Sequence, residues 1–252
     1  MAKHAERFTG RVAEYEKYRL RYPVAVVELL RERCGLRDED AIADVGAGTG
    51  MLAELFLENG NAVTAIEPNA EMRAACERLR ERYPKLAVIG AAAESTTLPD
   101  ESVRFVLAGR AFHWFDRERA LAEFRRVLKP DGWVVLMSSG RWHDGTVPSK
   151  QYEEILREYG TDDREPQRRN RIYDELPGLF ERGAVVKQTL KGEQRLTLEE
   201  FLGQTQSFSS TPLPEHPKYE PMQAALRTFF ARYEESGLLR MGSACSVMAC
   251  QV

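Results

Sequence analysis

The chain has 252 residues, of which 43% are apolar and 30% charged, and its formal net charge is −3. This size suits one large α/β domain or a domain with a cap, and the mixed charge disfavours nucleic acid as a partner. No apolar run approaches the ~20 residues of a membrane span, and no apolar segment follows the N-terminus as in a signal peptide. The four cysteines lack metal-ligand spacing, so we expect no metal, and free thiols in a reducing cytoplasm.

The first elements along the chain are predicted to be helical. The polar stretch His4 to Tyr18 has apolar residues near helical spacing, which predicts a first helix. Pro23 can start a second helix, and Gly35 ends it. We assign residues 1–34 to an N-terminal arm.

A glycine-rich turn follows the arm, within the stretch Ala41 to Gly50, which reads A-I-A-D-V-G-A-G-T-G. The apolar run Ala41 to Val45 predicts a buried strand, and Met51 to Asn59 predicts a helix. Strand, glycine turn and helix together open a nucleotide-binding βαβ unit. Glycines allow positive φ, so a ligand can lie against bare backbone and face the N–H groups of the helix start.

The spacing of this turn separates two ligand classes. A dinucleotide fingerprint, G-x-G-x-x-G, would need its third glycine where Met51 stands. Asp44 lies two residues before the first glycine, where it would repel a pyrophosphate but could hold a cation such as an α-ammonium group. Both residues disfavour an NAD(P) oxidoreductase, which we keep as an alternative.

A second candidate ligand group follows the next predicted strand, Ala62 to Ile66. Glu67 lies about 20 residues after the first glycine, where nucleotide-binding folds place a carboxylate that accepts both ribose hydroxyls. The alternative is a solvated charge at the end of a strand. Pro68 and Asn69 then open a helix over Ala70 to Tyr83.

The remaining pattern alternates strands with helices and predicts an α/β fold with a doubly wound parallel sheet. Asp116 is predicted to cap a helix, and Lys129 to Gly132 reads as a tight turn before the fifth strand. The other predicted strands are Leu86 to Ile89, Val103 to Gly109, Trp133 to Met137, Ala184 to Leu190 and an antiparallel Met241 to Val252. The later predicted helices are Pro148 to Tyr159, Ile172 to Phe180, Thr197 to Phe208 and Tyr219 to Glu235.

Several stretches resemble successive motifs of class I S-adenosylmethionine-dependent methyltransferases: Asp44 to Gly50, Glu67-Pro68, Ala93-Glu94 and Leu128-Lys129-Pro130-x-Gly132. The N-terminal stretch and the loop after the fourth strand resemble the methyltransferase type 11-like branch that includes trans-aconitate methyltransferases, through Tyr15-x-x-x-Arg19, Tyr22-Pro23 and Ala111 to Phe115. The resemblance implies a Rossmann-like, seven-stranded, mostly parallel sheet with a helical cap. It also implies one domain, with the arm at 1–34, a cofactor-binding core at 35–140, and the cap and C-terminal strands at 141–252.

The resemblance implies S-adenosylmethionine as the cofactor and gives roles to individual residues. Asp44 and the glycine backbone would face its methionine moiety, Glu67 would hold the ribose, and Ala93 with Glu94 would contact adenine. The full set of expected cofactor residues is Tyr15, Arg19, Asp44, Gly46, Ala47, Gly48, Glu67, Pro68, Ala93, Glu94 and Arg110. In the family, proline, aspartate and glutamine are common where Leu20, Arg104 and Arg110 stand here.

Methyl transfer from a sulfonium is a direct displacement, so catalysis depends on placing the acceptor and excluding water. We expect a small-molecule acceptor methylated at oxygen. A hydroxyl acceptor needs a base, for which His113 is the candidate, unless its ring only packs the loop. A carboxylate acceptor needs none, and Arg19, Arg110 and Arg141 could surround an anion. A cofactor-binding regulator with weak catalysis is a further alternative, and the oligomeric state stays open.

Overall fold

A computed structural model describes residues 12–161 and 183–252. The strands within these residues form one seven-stranded sheet: β1 (Ala41–Val45), β2 (Ala62–Ile66), β3 (Leu86–Ile89), β4 (Val103–Gly109), β5 (Leu128–Arg141), β6 (Val185–Leu196) and β7 (Leu239–Gln251). The strand order is β3-β2-β1-β4-β5-β7-β6. Strand β7 is antiparallel to both neighbours, and the other neighbouring pairs are parallel. The predicted doubly wound, mostly parallel sheet is confirmed.

Helices flank this sheet and form the cap. They are α1 (Val12–Tyr18), α2 (Ala25–Cys34), α3 (Met51–Glu58), α4 (Ala70–Arg78), α5 (Arg117–Val127), α6 (Val147–Tyr159), α7 (Leu198–Gln206) and α8 (Tyr219–Tyr233). Short 3₁₀ turns occupy Leu79–Glu81 and Phe112–Trp114. In the described ranges no helix combines the length and apolar character needed to cross a membrane. The predicted helix at Ile172 to Phe180, and residues 4–11 of the first predicted helix, lie outside the described residues.

The helix ends follow the local sequence chemistry. Helix α2 stops at Gly35, whose φ of 67° is left-handed and suits a residue without a Cβ. The side chains of Asn69 and Asp116 accept the backbone N–H groups that begin α4 and α5. Thr197 and Glu200 form a reciprocal capping box at the start of α7. These caps determine the residues at which α4, α5 and α7 begin and α2 ends.

The predicted tight turn at Lys129 to Gly132 is wrong. Strand β5 already begins at Leu128, which pairs with Val103, and pairing resumes at Trp133 opposite Phe105. The intervening residues form a bulge in which Asp131 has a φ of 61°. Proline and glycine here interrupt a strand instead of reversing the chain, because neighbouring strands hold both sides of the bulge.

Strands β5, β6 and β7 extend beyond the parallel part of the sheet. Strand β5 runs to Arg141, which pairs with Ser243 of β7, and β6 continues to Leu196, which pairs with Leu239. The expected strands were shorter, ending at Met137 and Leu190. The extension forms an antiparallel platform that projects past the carboxyl ends of β1 and β4.

Apolar side chains form separate clusters above, below and beyond the sheet. One face packs on α2 and α3, with Leu30, Phe56 and Val135 among its buried members. The other face packs on α5 through a second cluster. The third cluster lies in the cap, where Tyr152 and Phe201 pack with residues of α8 and β7. The sheet core and the cap core therefore meet across a boundary.

Candidate active site

The glycine turn after β1 is folded tightly against β2. Gly46 and Gly48 have φ values of 70° and 59°, which side chains disfavour. The N–H groups of Gly46 and Ala47 both donate to the carbonyl of Ile66, at 2.8 and 3.1 Å. A Cβ on Gly46 would lie 2.5 Å from the Cβ of Ala111, whereas the same atom on Gly48 would meet nothing within 4 Å. The backbone at Gly48 is therefore open to a ligand.

Asp44, at the end of β1, is a buried carboxylate without a counter-charge among the described residues. The residue is 1% exposed, and neither carboxylate oxygen has a hydrogen-bond partner in that part of the chain. Burial raises the pKa of Asp44 to about 7. The nearby N–H of Ala53 lowers this pKa by favouring the charged form, although its geometry is not that of a hydrogen bond. A cation placed beside Asp44 would supply the missing partner. Its chemistry fits the α-ammonium group expected from the sequence.

Glu67 lies beside the glycine turn and is held by backbone N–H groups. One carboxylate oxygen accepts from Gly48 and the other from Asn69, both at 2.8 Å. Burial raises the pKa of Glu67 despite these two hydrogen bonds. Each carboxylate oxygen has two lone pairs, so each retains one acceptor site for a ribose hydroxyl. The structure thus brings Asp44, the glycine turn, Glu67 and the adjoining Pro68 together at one sheet edge.

The expected adenine contacts lie nearby but have structural partners of their own. Ala93 is buried in the cluster beneath α5. Glu94 accepts the backbone N–H of Asp116 at 2.7 Å, so one of its carboxylate oxygens secures the residue that begins α5. The other oxygen of Glu94 remains for a ligand.

Arg110 follows β4 directly and has a left-handed φ of 56°. Its half-buried guanidinium donates to the carbonyls of Leu20 and Ser139, at 3.2 and 3.3 Å, and lies 4.9 Å from the Tyr22 ring. A non-glycine residue in this conformation costs on the order of 1 kcal/mol or more, and such strain clusters at functional sites. The backbone here aims the side chain toward the arm.

Arg19 shares an aromatic neighbour with Arg110. The two guanidinium carbons lie 5.3 and 5.8 Å from the Tyr15 ring. Arg19 donates to the carbonyl and hydroxyl oxygens of Ser207 at 3.4 and 3.5 Å, while its buried Nε has no partner in the described ranges. Burial, and then Arg110, lower the pKa of Arg19 to about 10, so it stays charged at neutral pH. Within residues 12–161 and 183–252, neither arginine pairs with a carboxylate.

Arg141 on the β5 extension adds a third guanidinium. Glu153 accepts from its Nε and Nη2 through one oxygen, at 3.1 and 2.8 Å. Arg141 and Arg19 share the Phe208 ring, with guanidinium carbons 4.8 and 4.9 Å from its centroid. Tyr152 of the cap core lies 5.1 Å from Arg141. The arginines therefore lie at the boundary between the sheet core and the cap core.

Two glutamines complete this boundary. Gln194 of β6 and Gln204 of α7 join their side-chain amides by a 2.8 Å hydrogen bond. We call the set of Arg19, Arg110, Arg141, Gln194 and Gln204 the polar layer. Sequence reasoning missed both glutamines, because no local pattern marks them and they are brought in by the β6 extension and by α7.

His113 lies in the 3₁₀ turn after β4, in the loop that also carries Ala111 against Gly46. Its ring is half-buried and lies 4.5 Å from that of Trp114. This place is compatible with both expectations, a base near the acceptor and a ring that packs the loop.

A groove of about 550 Å³ lies elsewhere, between α1, α7 and α8. Tyr18, Leu202 and Arg227 are among its lining residues, and no residue of the predicted site lines it. The groove is open and lies outside the glycine turn and the polar layer.

Known proteins match the core of the chain. The methyltransferase domain family matches residues 43–136. A methyltransferase-like protein of Schizosaccharomyces pombe is 32% identical over 157 residues, covering 62% of this chain and 59% of the relative. An uncharacterised methyltransferase of Mycobacterium tuberculosis is 36% identical over 134 residues, 53% of this chain and 52% of the relative. The chain thus spans little more than half the length of the curated relatives it matches.

The fold comparison extends over nearly the whole chain. A solved structure of a proposed type II methyltransferase from Anaeromyxobacter dehalogenans covers 93% of this chain and 97% of its own, with a TM-score of 0.68 and 23% identity. That similarity supports the fold alone, and the narrower resemblance to trans-aconitate methyltransferases stays a prediction. Together with the glycine turn and the two acidic strand ends, these matches identify residues 43–136 as a methyltransferase domain.

Proposed function

We propose that this protein transfers the methyl group of S-adenosylmethionine to a carboxylate oxygen of a small molecule. The observation that carries the proposal is the half-buried pair Arg19 and Arg110, whose Nε atoms are buried; the pair has no carboxylate partner among the described residues and lies beside the loop after β4. Two neighbouring cations that are partly withdrawn from water repel each other, and a bound anion would offset that cost. A carboxylate matches the guanidinium fork in both charge and shape.

The acidic strand ends would hold the cofactor. Asp44 would accept its ammonium group, and Glu67 would accept the ribose hydroxyls through its free lone pairs. Gly46, Ala47 and Gly48 would offer bare backbone, with Pro68, Ala93 and Glu94 toward the nucleoside. The cofactor would supply a methyl group bound to a positively charged sulfur. Once the methyl group is transferred, the rest of the cofactor is a neutral thioether.

The polar layer would hold the acceptor. Arg19 and Arg110 would orient one carboxylate so that an oxygen attacks the methyl carbon; the new C–O bond forms as the C–S bond breaks. The product is a methyl ester, and no proton has to move. Tyr15 would cover the two guanidinium groups and exclude water, which strengthens their attraction for the anion. His113 is not needed as a base in this reaction.

The rival readings differ in what binds. An NAD(P) oxidoreductase is disfavoured because the buried Asp44 would repel a pyrophosphate and Met51 occupies the third glycine position. A regulator with weak catalysis would keep the cofactor site but show no transfer. We also place the reaction in the cytoplasm, because all four cysteines are buried free thiols.

The test has two stages. We expect S-adenosylmethionine and S-adenosylhomocysteine to raise the melting temperature, with NADH giving no shift; ligand at about 100 times its dissociation constant adds about 2.7 kcal/mol of stability. Transfer from a methyl-labelled donor to a library of small carboxylic acids should then yield label that alkali releases, since esters hydrolyse and ethers do not. Stabilisation by NADH alone would refute the methyltransferase proposal. Transfer of label only into alkali-stable products would refute the carboxylate.

A further inference from the structure

Gln194 is half-buried, and its buried amide nitrogen has no hydrogen-bond partner among the described residues. It lies on the inward side of β6, between Leu190, which packs on the sheet core, and Leu196, which belongs to the cap core. Its Oε1 accepts from Gln204, but its buried Nε2 makes no hydrogen bond within residues 12–161 and 183–252. A buried amide N–H group without an acceptor lowers the stability of the fold. An oxygen atom of a bound ligand would offset this cost by accepting the hydrogen bond.

The hydrogen-bond network favours one orientation of the two amides, and this orientation determines which end of Gln194 is free. The Nε2 of Gln204 contacts two oxygens, the carbonyl of Tyr18 at 3.5 Å and the Oε1 of Gln194 at 2.8 Å. A carbonyl can only accept, so the NH₂ end of Gln204 faces both contacts. Gln194 therefore turns its oxygen toward Gln204 and leaves its own NH₂ group as the unused donor.

The same helix end also holds Arg19. Ser207 donates through its hydroxyl to the carbonyl of Gln204 at 2.6 Å, and Arg19 donates to the carbonyl and hydroxyl oxygens of Ser207. Gln204 also contacts the carbonyl of Tyr18, the residue before Arg19. Thus the amide of Gln194 and the guanidinium of Arg19 are positioned by one short network at the end of α7. Each carries a buried N–H group that has no acceptor among the described residues.

We propose that Gln194 is a specificity-determining residue whose amide N–H donates to a second oxygen of the methyl acceptor, away from the carboxylate at Arg19 and Arg110. The inference rests on the proposed carboxylate methyl transfer and narrows its substrate class. The acceptor would be a carboxylic acid with a second hydrogen-bond-accepting group, either a further carboxylate or an amide. Gln204 is a positioning residue, because it acts by orienting Gln194.

The variant Gln194→Glu gives a sharp test because it keeps the shape and reverses the hydrogen-bond role. One oxygen of the new carboxylate would accept from Gln204, and the other would face the ligand as a negatively charged acceptor. The probes are linear dicarboxylates from malonate to adipate, their half-amides, and the monocarboxylates of equal length. Dissociation constants are measured by calorimetry on the protein saturated with S-adenosylhomocysteine. Gln188→Glu is the matched control, since Gln188 is exposed on the same strand.

We expect the wild type to bind a dicarboxylate and its half-amide at least tenfold more tightly than the matching monocarboxylate. Gln194→Glu should lose that preference for the dicarboxylate and keep it for the half-amide, whose NH₂ group can donate to glutamate. Gln194→Met should lose the preference for both the dicarboxylate and the half-amide. The control Gln188→Glu should keep both preferences. Gln204→Met should weaken the preference for both without favouring the half-amide. Binding of S-adenosylhomocysteine should be unchanged in every variant, which shows that the fold is intact.

Two results would count against these ideas in different ways. If Gln194→Glu and Gln194→Met bind every probe as Gln188→Glu does, or if the wild type does not distinguish mono- from dicarboxylates at any length, the role of Gln194 is refuted and the carboxylate proposal stands. If no carboxylic acid binds the wild type, the carboxylate proposal itself fails, and this inference fails with it.

Discussion

The two halves of the candidate site have opposite hydrogen-bonding character. The cofactor half, Asp44 and Glu67 with the glycine turn between them, presents carboxylate oxygens. The acceptor half, the polar layer, presents N–H groups from arginine and glutamine. One half is therefore suited to hydroxyl and ammonium groups, and the other to carboxylate and carbonyl oxygens. This difference supports the proposed placement of the cofactor in one half and of the acceptor in the other.

The two halves also differ in how the chain builds them. The cofactor half comes from one continuous stretch, residues 41–68, whose loop is pinned to β2 by backbone hydrogen bonds. The acceptor half gathers residues from the arm, β4, β5, β6 and α7. Changes in the first half should therefore act on cofactor affinity alone, and changes in the second on the acceptor alone.

Replacing Glu67 should weaken cofactor binding, and this is the largest effect that we predict. Glu67→Ala removes a charged acceptor from two ribose hydroxyls, and we expect S-adenosylhomocysteine affinity to fall by roughly 2–3 kcal/mol, measured by calorimetry. The exposed Glu77→Ala on α4 is the control for a lost carboxylate. Unchanged affinity in Glu67→Ala would show that the carboxylate only holds the glycine turn.

Replacing Arg19 should break the acceptor half with little effect on the fold. Its only hydrogen bonds in the described residues are the two long ones to Ser207, and Arg110 repels it. Arg19→Gln should raise the acceptor's KM by about 10- to 100-fold, or roughly 1.5–3 kcal/mol for a lost charged hydrogen bond. The melting temperature should stay level or rise.

The matched control for Arg19 is Arg21→Gln, because Arg21 is exposed and pairs with Glu54 outside the site. A rise in KM equal to that of the control, or a loss of cofactor affinity, would contradict the division between the halves.

Replacing His113 should have the smallest effect and sharpens the choice of acceptor. With a carboxylate, His113→Gln should change turnover by no more than a few-fold, whereas a base role predicts a loss of about 10²–10⁴. At saturating cofactor, the pH–rate profile should be flat from about pH 5.5 to 8.5, the range over which a histidine would titrate. A pH–rate profile that falls as a histidine is protonated would instead favour a hydroxyl acceptor.

The cofactor's KM should rise as pH falls below about 7, because protonated Asp44 no longer attracts an ammonium group.

The sequence predicts the cofactor half better than the acceptor half, for a physical reason. Glycines with positive φ, Asp44 and Glu67 are fixed by local geometry within one βαβ unit. The β5 bulge was mistaken for a turn, since proline and glycine serve either purpose until the partner strand is known. Gln194 was missed because its burial depends on the β6 extension, which pairs with a strand more than 40 residues later. Only the assembled sheet reveals it.

The buried cysteines give each half of the site its own internal reporter. Cys76 lies behind the glycine turn, since a Cβ on Gly50 would be 2.8 Å from its Sγ. Cys245 of β7 lies opposite Ser139 of β5, whose carbonyl accepts a hydrogen bond from Arg110. Burial raises the pKa of both thiols to about 12, so neither is a reactive thiolate in the closed protein. A thiol reagent can reach either one only when the structure around it opens. In a variant that retains only these two cysteines, labelling rates would therefore time the opening of the cofactor half and of the acceptor half separately.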